Sequence, residues 1–208
     1  NSWTVGEVYE LVYSHAWESG EPGMIFIDRI NDANPTKHIG LMEATNPCGE
    51  QPLLPWEACN LGSINVGSFV KGGAGGAPSL DEEAFKNTVT TCVRFLDDVV
   101  EANNYPLPQI REMCMGNRKI GLGVMGFADA LYKMGIAYNS DAGVEFGERV
   151  MRLVNDTAHD ASSALAGERK PFPFWEGSTW HKEGRPMRNA CSTTVAPTGT
   201  ISMLADCS

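Results

Sequence analysis

The chain has 208 residues and 26 acidic against 16 basic side chains, a formal net charge of −10. That balance excludes a general nucleic-acid-binding surface, which needs clustered Lys and Arg, but not a single nucleotide, whose phosphates backbone N–H groups can hold. Apolar content of 42% with no run of about 18 apolar residues describes a soluble globular chain with a real core and no membrane-spanning helix.

In chain order, the N-terminal NSWTVGEVYE has no initiator Met and no basic-then-apolar leader. Thr4 and Glu7 fit a capping box, and Val5, Val8, Leu11, Val12 and Ala16 follow at helical spacing up to Gly20. MIFID (24–28) reads as a short buried strand, followed by a polar loop. NLGSINVGSFV (60–70) reads as a further strand, and KGGAGGAPS (71–79) as a flexible connection into a second capping box, Ser79 to Glu82. Phe85, Val89, Cys92, Val93, Leu96, Val99 and Val100 form one apolar stripe, predicting a helix over about 80–102. NYPLPQI breaks it; a short helix is expected at 126–135, and a long one from Ser140 to Gly167. An aromatic, Pro- and Gly-rich loop (170–186) precedes a strand at NACSTTVAP (189–197). The C-terminal ISMLADCS has neither cap nor polar tail, so both ends are expected to be cuts through a longer protein. Short strands alternating with longer helices predict an α/β fold.

NPCGEQPLLPWEAC (46–59) is built to present side chains rather than to pack them. Asn46, Cys48 and Glu50 alternate, so in an extended segment they point the same way but span about 13 Å, too far to meet on one small group. Pro47 and Gly49 allow a tight loop tip that curls the three together. Asn can donate to and accept from hydroxyls, Glu can take a proton, and Cys can be nucleophile, redox group or radical carrier. The plain alternative is an ordinary loop with a buried cysteine. A Cys–His hydrolase is disfavoured, because no His lies in the stretch and Glu50 raises rather than lowers a neighbouring thiol's pKa. A neutral thiol that loses a hydrogen atom suffers no such penalty.

NPCGEQPL with E-x-C-N-L-G-S-I-N at 57–65 resembles the active-site segment of ribonucleotide reductase catalytic chains, most of all the adenosylcobalamin-dependent (class II) form. GEPGMIFIDRIN (20–31), RKIGLGVMGFADAL (118–131) and APTGTISMLAD (196–206) agree in order and kind, so the likeness covers essentially the whole chain, 1–208, as part of one catalytic barrel domain. The resemblance implies a ten-stranded α/β barrel with a central radical-cysteine finger loop, a barrel this stretch cannot close alone; the 208 residues by themselves are expected to be inactive. It implies that Cys48 becomes a thiyl radical and removes the ribose 3′ hydrogen, that Glu50 accepts the 3′-OH proton, and that Asn46 holds the ribose hydroxyls, with Pro47 and Gly49 in the same substrate contact. Cys59 matches one member of the cysteine pair that reduces the 2′ carbon, its partner lying upstream. It also implies adenosylcobalamin as radical source, a ribonucleoside diphosphate or triphosphate as substrate, a thioredoxin-like or other dithiol reductant, allosteric nucleotide effectors and a homodimer. The class I large subunit, with its radical from a separate metal-containing subunit, and a non-catalytic nucleotide-binding module are the alternatives.

Pro197, Thr198, Gly199, Thr200 and Ile201 suit wrapping of backbone N–H groups around an anion. Read alone they are a plain turn; with the resemblance they become the substrate diphosphate cradle, any completing helix starting near or beyond Ser208. GLGVMG (121–126) matches the dinucleotide fingerprint, yet REMCMGNRK before it is a poor strand, so close packing of strand against helix is the better reading. Cys92 is assigned to the core. Cys114, Cys191 and Cys207 have no metal-ligand spacing, and His15, His38, His159 and His181 are scattered. Arg118 and Lys119 read as a solvated basic pair. Six cysteines without a leader argue against a disulfide framework and for a cytoplasmic setting.

Overall fold

Thr4 opens the first helix, α1 (Val5–Ser19), through the reciprocal cap the sequence predicts. Thr4 Oγ1 accepts from the Glu7 N–H at 3.3 Å, and Glu7 Oε2 accepts from the Thr4 N–H at 2.8 Å. Gly20, with a φ of 84°, closes it. The computed structural model describes residues 2–72 and 76–208, which divide into two units, Asn1–Ala33 and Asn34–Ser208. In the first unit the strand expected at 24–28 is absent: α2 (Ile27–Asp32) begins inside it. A strand needs a partner edge, and the described residues of this unit offer only helices.

The second unit starts with a small hairpin, β1 (Ala44–Thr45) against β2 (Pro52–Leu53), antiparallel with Thr45 opposite Pro52. The predicted strand at 60–70 is shorter: β3 (Asn60–Asn65) gives way to a 3-10 turn at Val66–Phe69, then β4 (Val70–Lys71) pairs with β5 (Ser79–Leu80). Part of the expected flexible connection, 73–75, lies outside the described residues. Ser79 is spent on the β5 ladder, so the second cap is made by Asp81, whose carboxylate accepts from the Ala84 N–H at 3.3 Å. From it runs α3 (Glu82–Ala102), as predicted. Where the sequence promised only a break, α4 (Pro108–Asn117) forms, with Pro at the helix start, where its missing N–H costs nothing.

β6 (Ile120–Met125) runs parallel to β3, Asn60 opposite Ile120 through Asn65 opposite Met125. After it come α5 (Phe127–Met134), α6 (Asp141–Arg169) capped by Ser140, α7 (Thr179–Lys182) and α8 (Gly199–Leu204). The strand expected at 189–197 reduces to one parallel bridge, Leu122 to Thr193, flanked by backbone bonds from Ile120 N to Cys191 O and Leu122 N to Ser192 O. Ile120 and Leu122 thus bond to consecutive carbonyls, and that slip in register keeps the segment from becoming a regular strand. The core lies between the β3–β6 pair and the α3–α6 pair: Phe85, Val89, Val93 and Leu96 from α3 meet Val150, Val154, Ala158 and Leu165 from α6, over Ile64, Ile120 and Leu122. Cys92 is half-buried against it.

Arg118 and Lys119 are not solvated; both side chains are almost fully buried. Arg118 closes α4 in the left-handed region and donates to Asp97 Oδ1 at 2.9 Å and to Glu101 at 2.9 Å. Asp97, fully buried on α3, also accepts from Arg169 and Arg188, each at 3.2 Å, and from Asn189 at 3.0 Å. Burial alone would raise the Asp97 pKa, but the Arg118 hydrogen bond and the charges of Arg118 and Arg188 outweigh it and hold the carboxyl below its ordinary range. Asp97→Ala should therefore cost about 3–5 kcal/mol in urea denaturation, since it takes from the buried Arg118 guanidinium its one buried carboxylate and leaves it only the exposed Glu101. A group with a depressed folded pKa contributes in full above its ordinary value of about 4, and that contribution drains away as pH falls through the folded value. The stability gap between the two proteins should accordingly narrow only in acid.

Candidate active site

Asn46 makes the hairpin tip a closed loop. Its N–H donates to Gln51 O at 3.2 Å, its side-chain Oδ1 accepts from the Gln51 N–H at 3.0 Å, and its carbonyl accepts from the Gly49 N–H at 3.0 Å. Gly49 sits at a φ of 85°, a conformation that penalises any residue with a Cβ. Asn46 Oδ1 thus holds the loop closed, and no hydrogen bond among the described residues engages its amide NH2, which can meet a ligand. The tip presents Cys48 as an exposed free thiol, which removes the buried-cysteine reading.

Glu50 points elsewhere. Its Oε2 is buried and has no hydrogen-bond partner. A desolvated carboxylate oxygen in that condition is costly unless something donates to it. The loop is tied down on either side of this oxygen: Thr194 Oγ1 donates to the Glu50 carbonyl at 3.0 Å, and the buried Gln51 reaches Cys191 Sγ with its Nε2 at 3.8 Å. Neither Thr194 nor Gln51 stands out in the sequence, because both act across about 140 residues.

Cys59 immediately precedes β3, with Sγ 3.4 Å from Asn60 O. Burial pushes its thiol pKa well up, the neighbouring Cys191 adds to this, and Lys119 opposes it. The alternating glycines of β6 accommodate this side of the sheet. A Cβ on Gly121 would lie 2.5 Å from Leu61 Cδ2, 2.8 Å from Thr194 Cγ2 and 3.3 Å from Cys59 Sγ, and one on Gly123 would lie 2.4 Å from Thr194 O. Gly121 and Gly123 of GLGVMG are therefore inside a strand, serving close approach, and Gly126 caps α5; the first two glycines of a dinucleotide loop, which follow a strand, are not so placed here.

Residues 197–201 do not wait for a later helix: α8 starts at Gly199, within the predicted cradle. Thr198 caps it at a φ of 57°, an unusual conformation for Thr, and accepts from the Ser202 N–H at 2.8 Å. A first turn leaves its leading N–H groups free of intrahelical partners, and Pro197 and Thr198 edge a cleft of about 540 Å³ floored by Met125, Gly126 and Phe127. The anchor Thr194 lies three residues before Pro197, so one segment serves both the loop and the cradle. The four histidines take no part in these sites. No described helix is long and apolar enough to cross a membrane.

An α/β architecture with a cysteine-tipped hairpin over a parallel strand pair is the class of site that fold and residues define. The description "Ribonucleotide reductase, barrel domain" matches residues 1–208. The chain is 54% identical over 202 residues to a vitamin B12-dependent ribonucleoside-diphosphate reductase of Thermoplasma acidophilum, covering 97% of this chain and 26% of that protein. It is 46% identical over 199 residues to the protein of the same name from Mycobacterium tuberculosis (strain CDC 1551), covering 96% and 28%. In fold it is similar to the class Id ribonucleotide reductase alpha subunit of Actinobacillus ureae, with a TM-score of 0.76 at 22% identity over 96% of this chain and 37% of that one. The chain belongs to the ribonucleotide reductase family, as part of its barrel domain. It spans about a quarter of the length of the curated relatives it matches.

Two outcomes test this geometry. Thr194→Val removes one hydrogen bond worth about 1 kcal/mol, so amide exchange across 46–51 should speed up about fivefold with the rest of the chain unchanged. Gly123→Ala, which drives a Cβ into a backbone oxygen, should cost about 1–3 kcal/mol in thermal denaturation and exceed Gly121→Ala, whose nearest obstacles are movable side chains.

Proposed function

We propose that the parent protein reduces ribonucleotides to deoxyribonucleotides by radical chemistry at Cys48, with Glu50, Asn46 and Cys59 in the roles the family resemblance gives them. The observation that carries this is the unpartnered, buried Glu50 Oε2, two residues from an exposed thiol on a closed loop. It supports an acceptor held ready for a substrate hydroxyl.

In this reading a Cys48 sulfur radical takes the hydrogen from ribose C3′, forming S–H and leaving a carbon radical. Glu50 accepts the 3′-OH proton while the 2′-OH, taking a proton from the dithiol that contains Cys59, departs as water. Asn46 offers its amide N–H groups to the ribose hydroxyls, its oxygen being engaged with Gln51. A dithiol containing Cys59 supplies two electrons to C2′ and ends as a disulfide; Cys48 then returns its hydrogen to C3′. The backbone N–H groups of residues 198–201, in the loop that Pro197 opens, receive the phosphates, the diphosphate being favoured by the relatives' names.

Adenosylcobalamin is the group these names favour over a class I radical subunit, and it supplies the initiating radical when bound. Cys48 fits it, since an exposed thiol can be reached by a group outside this stretch. Residues 1–208 are read as part of one ten-stranded α/β barrel domain, β3, β6 and the 191–194 segment being neighbours in it. The resemblance further implies a cytoplasmic homodimer with a thioredoxin-like or other dithiol reductant and nucleotide effectors.

The full-length parent should turn over with adenosylcobalamin as sole radical source, and the 208 residues alone should not. Cys48→Ala should abolish turnover while nucleotide binding persists, and Glu50→Gln should lower kcat about 10²–10⁴-fold. Full turnover by Cys48→Ala would overturn the role of Cys48, whereas nucleotide binding with no turnover by either protein would favour the non-catalytic nucleotide-binding module.

A further inference from the structure

Next to Cys59 lies a buried cation that the proposed reaction leaves unused. The Lys119 side chain is 1% exposed and its partner Glu57 is 0% exposed, with Nζ to Oε2 at 2.6 Å. Glu57 is gripped further, its Oε1 accepting from Asn117 Nδ2 at 2.7 Å and its Oε2 from the Leu54 N–H at 2.8 Å. Buried ion pairs are often no more stabilising than apolar side chains of the same volume, so stability alone gives little reason for one here.

The placement is specific. Glu57 lies two residues before Cys59, and Lys119 immediately precedes β6, so the register that sets Asn60 opposite Ile120 sets Cys59 beside Lys119. Cys59 and Lys119 line one cavity of about 240 Å³, together with Asn60, Tyr105 and Cys114. The groups that bear on the thiol come from every side: Glu57 from its own segment, Cys114 from α4, Cys191 from the segment bonded to Ile120, and Lys119. After burial itself, Cys191, Glu57 and Cys114 all disfavour a thiolate, and Lys119 alone among them favours it.

We propose that Lys119, held by Glu57, is the positioning residue that makes Cys59 competent for thiol–disulfide exchange. The inference rests on the reading of Cys59 as a reducing thiol. When a disulfide containing Cys59 is reduced by a dithiol, the attacking thiolate bonds to the other sulfur. The S–S bond breaks, and Cys59 leaves with the electron pair as a thiolate. That anion forms in a buried site, beside the Lys119 ammonium. It is then protonated from water, while the second thiol of the reductant closes the reductant's own disulfide and releases the other cysteine.

The test is peptide-resolved alkylation of the reduced full-length parent with iodoacetamide, from neutral pH upward, with circular dichroism to follow folding. Lys119→Met should slow alkylation of Cys59 about tenfold at a given pH, because less thiolate forms without the ammonium. Glu57→Gln combined with Lys119→Met leaves no lone buried charge and should also slow it, because the cation lining the Cys59 cavity is gone. Lys119→Arg should restore most of the rate. Cys114, in the same cavity, should keep its own rate throughout. Wild-type alkylation of Cys59 in the Met variants overturns the proposal, and so does joint acceleration of Cys59 and Cys114, the mark of loosened packing. Dithiol-dependent turnover by Cys59→Ser would instead overturn the reading of Cys59 itself, whereas lost turnover with unchanged alkylation removes only the role of Lys119.

Discussion

β6 is hydrogen-bonded along both edges, and the candidate site depends on that. β3 occupies one edge over its full length, bringing Cys59 to the threshold of the sheet. The 191–194 segment occupies the other, and from it Thr194 holds the finger loop and the chain continues to the cradle at 197–201. Three chemically distinct pieces, distant in sequence, are thereby referred to one strand. The strand can serve in this way because Gly121 and Gly123 leave no side chain where Leu61, Thr194 and Cys59 need to be. Its burial follows from the same arrangement, as parallel strands covered by helices tend to be apolar throughout.

Two buried charge clusters brace this frame where the chain enters β6. Asp97 gathers Arg118, Arg169, Arg188 and Asn189, joining α3, the end of α4, the end of α6 and the approach to the 191–194 segment. Glu57 gathers Lys119, Asn117 and the Leu54 N–H, joining the stretch before β3 to the turn before β6. Arg118 and Lys119 are adjacent in sequence, so one dipeptide serves both clusters. Losing either carboxylate leaves a cation in a place that water does not reach, which is why such pairs are far more costly to break than they were worth to form.

The parts of the fold legible in the sequence are those fixed locally. The Thr4–Glu7 box, the Ser140 cap, the Gly135 stop and the apolar stripe of α3 are all set within a few residues, and each forms as the spacing predicts. What is not legible depends on distant partners. MIFID has β-type residues but no strand edge to join among the described residues of its unit, and Ser79 is a good cap that β5 claims first. Arg118 and Lys119 look like solvated cations until carboxylates 21 and 62 residues away enclose them. The start of α8 at Gly199 turns on Thr198 adopting a left-handed φ that nothing in its type suggests. The candidate site shows the same division. Asn46, Cys48 and Glu50 stand out by type and spacing, whereas the anchoring by Thr194 and Gln51 emerges only once the chain has folded.

The two cysteines of NPCGEQPLLPWEAC show how environment, more than residue type, separates their chemistry. Cys48 is held at an exposed tip by a glycine turn and an asparagine clamp. Neutral hydrogen-atom exchange needs no charge stabilisation, so a rigid and reachable thiol is sufficient. Cys59 is buried, where forming an anion is expensive, and the β3–β6 register sets an ammonium beside it. One-electron work is thus proposed for the thiol that lacks a counter-charge, and two-electron work for the thiol that has one. The ten residues between them are enough to cross from the hairpin tip to the edge of the sheet, and so from one electrostatic regime to the other.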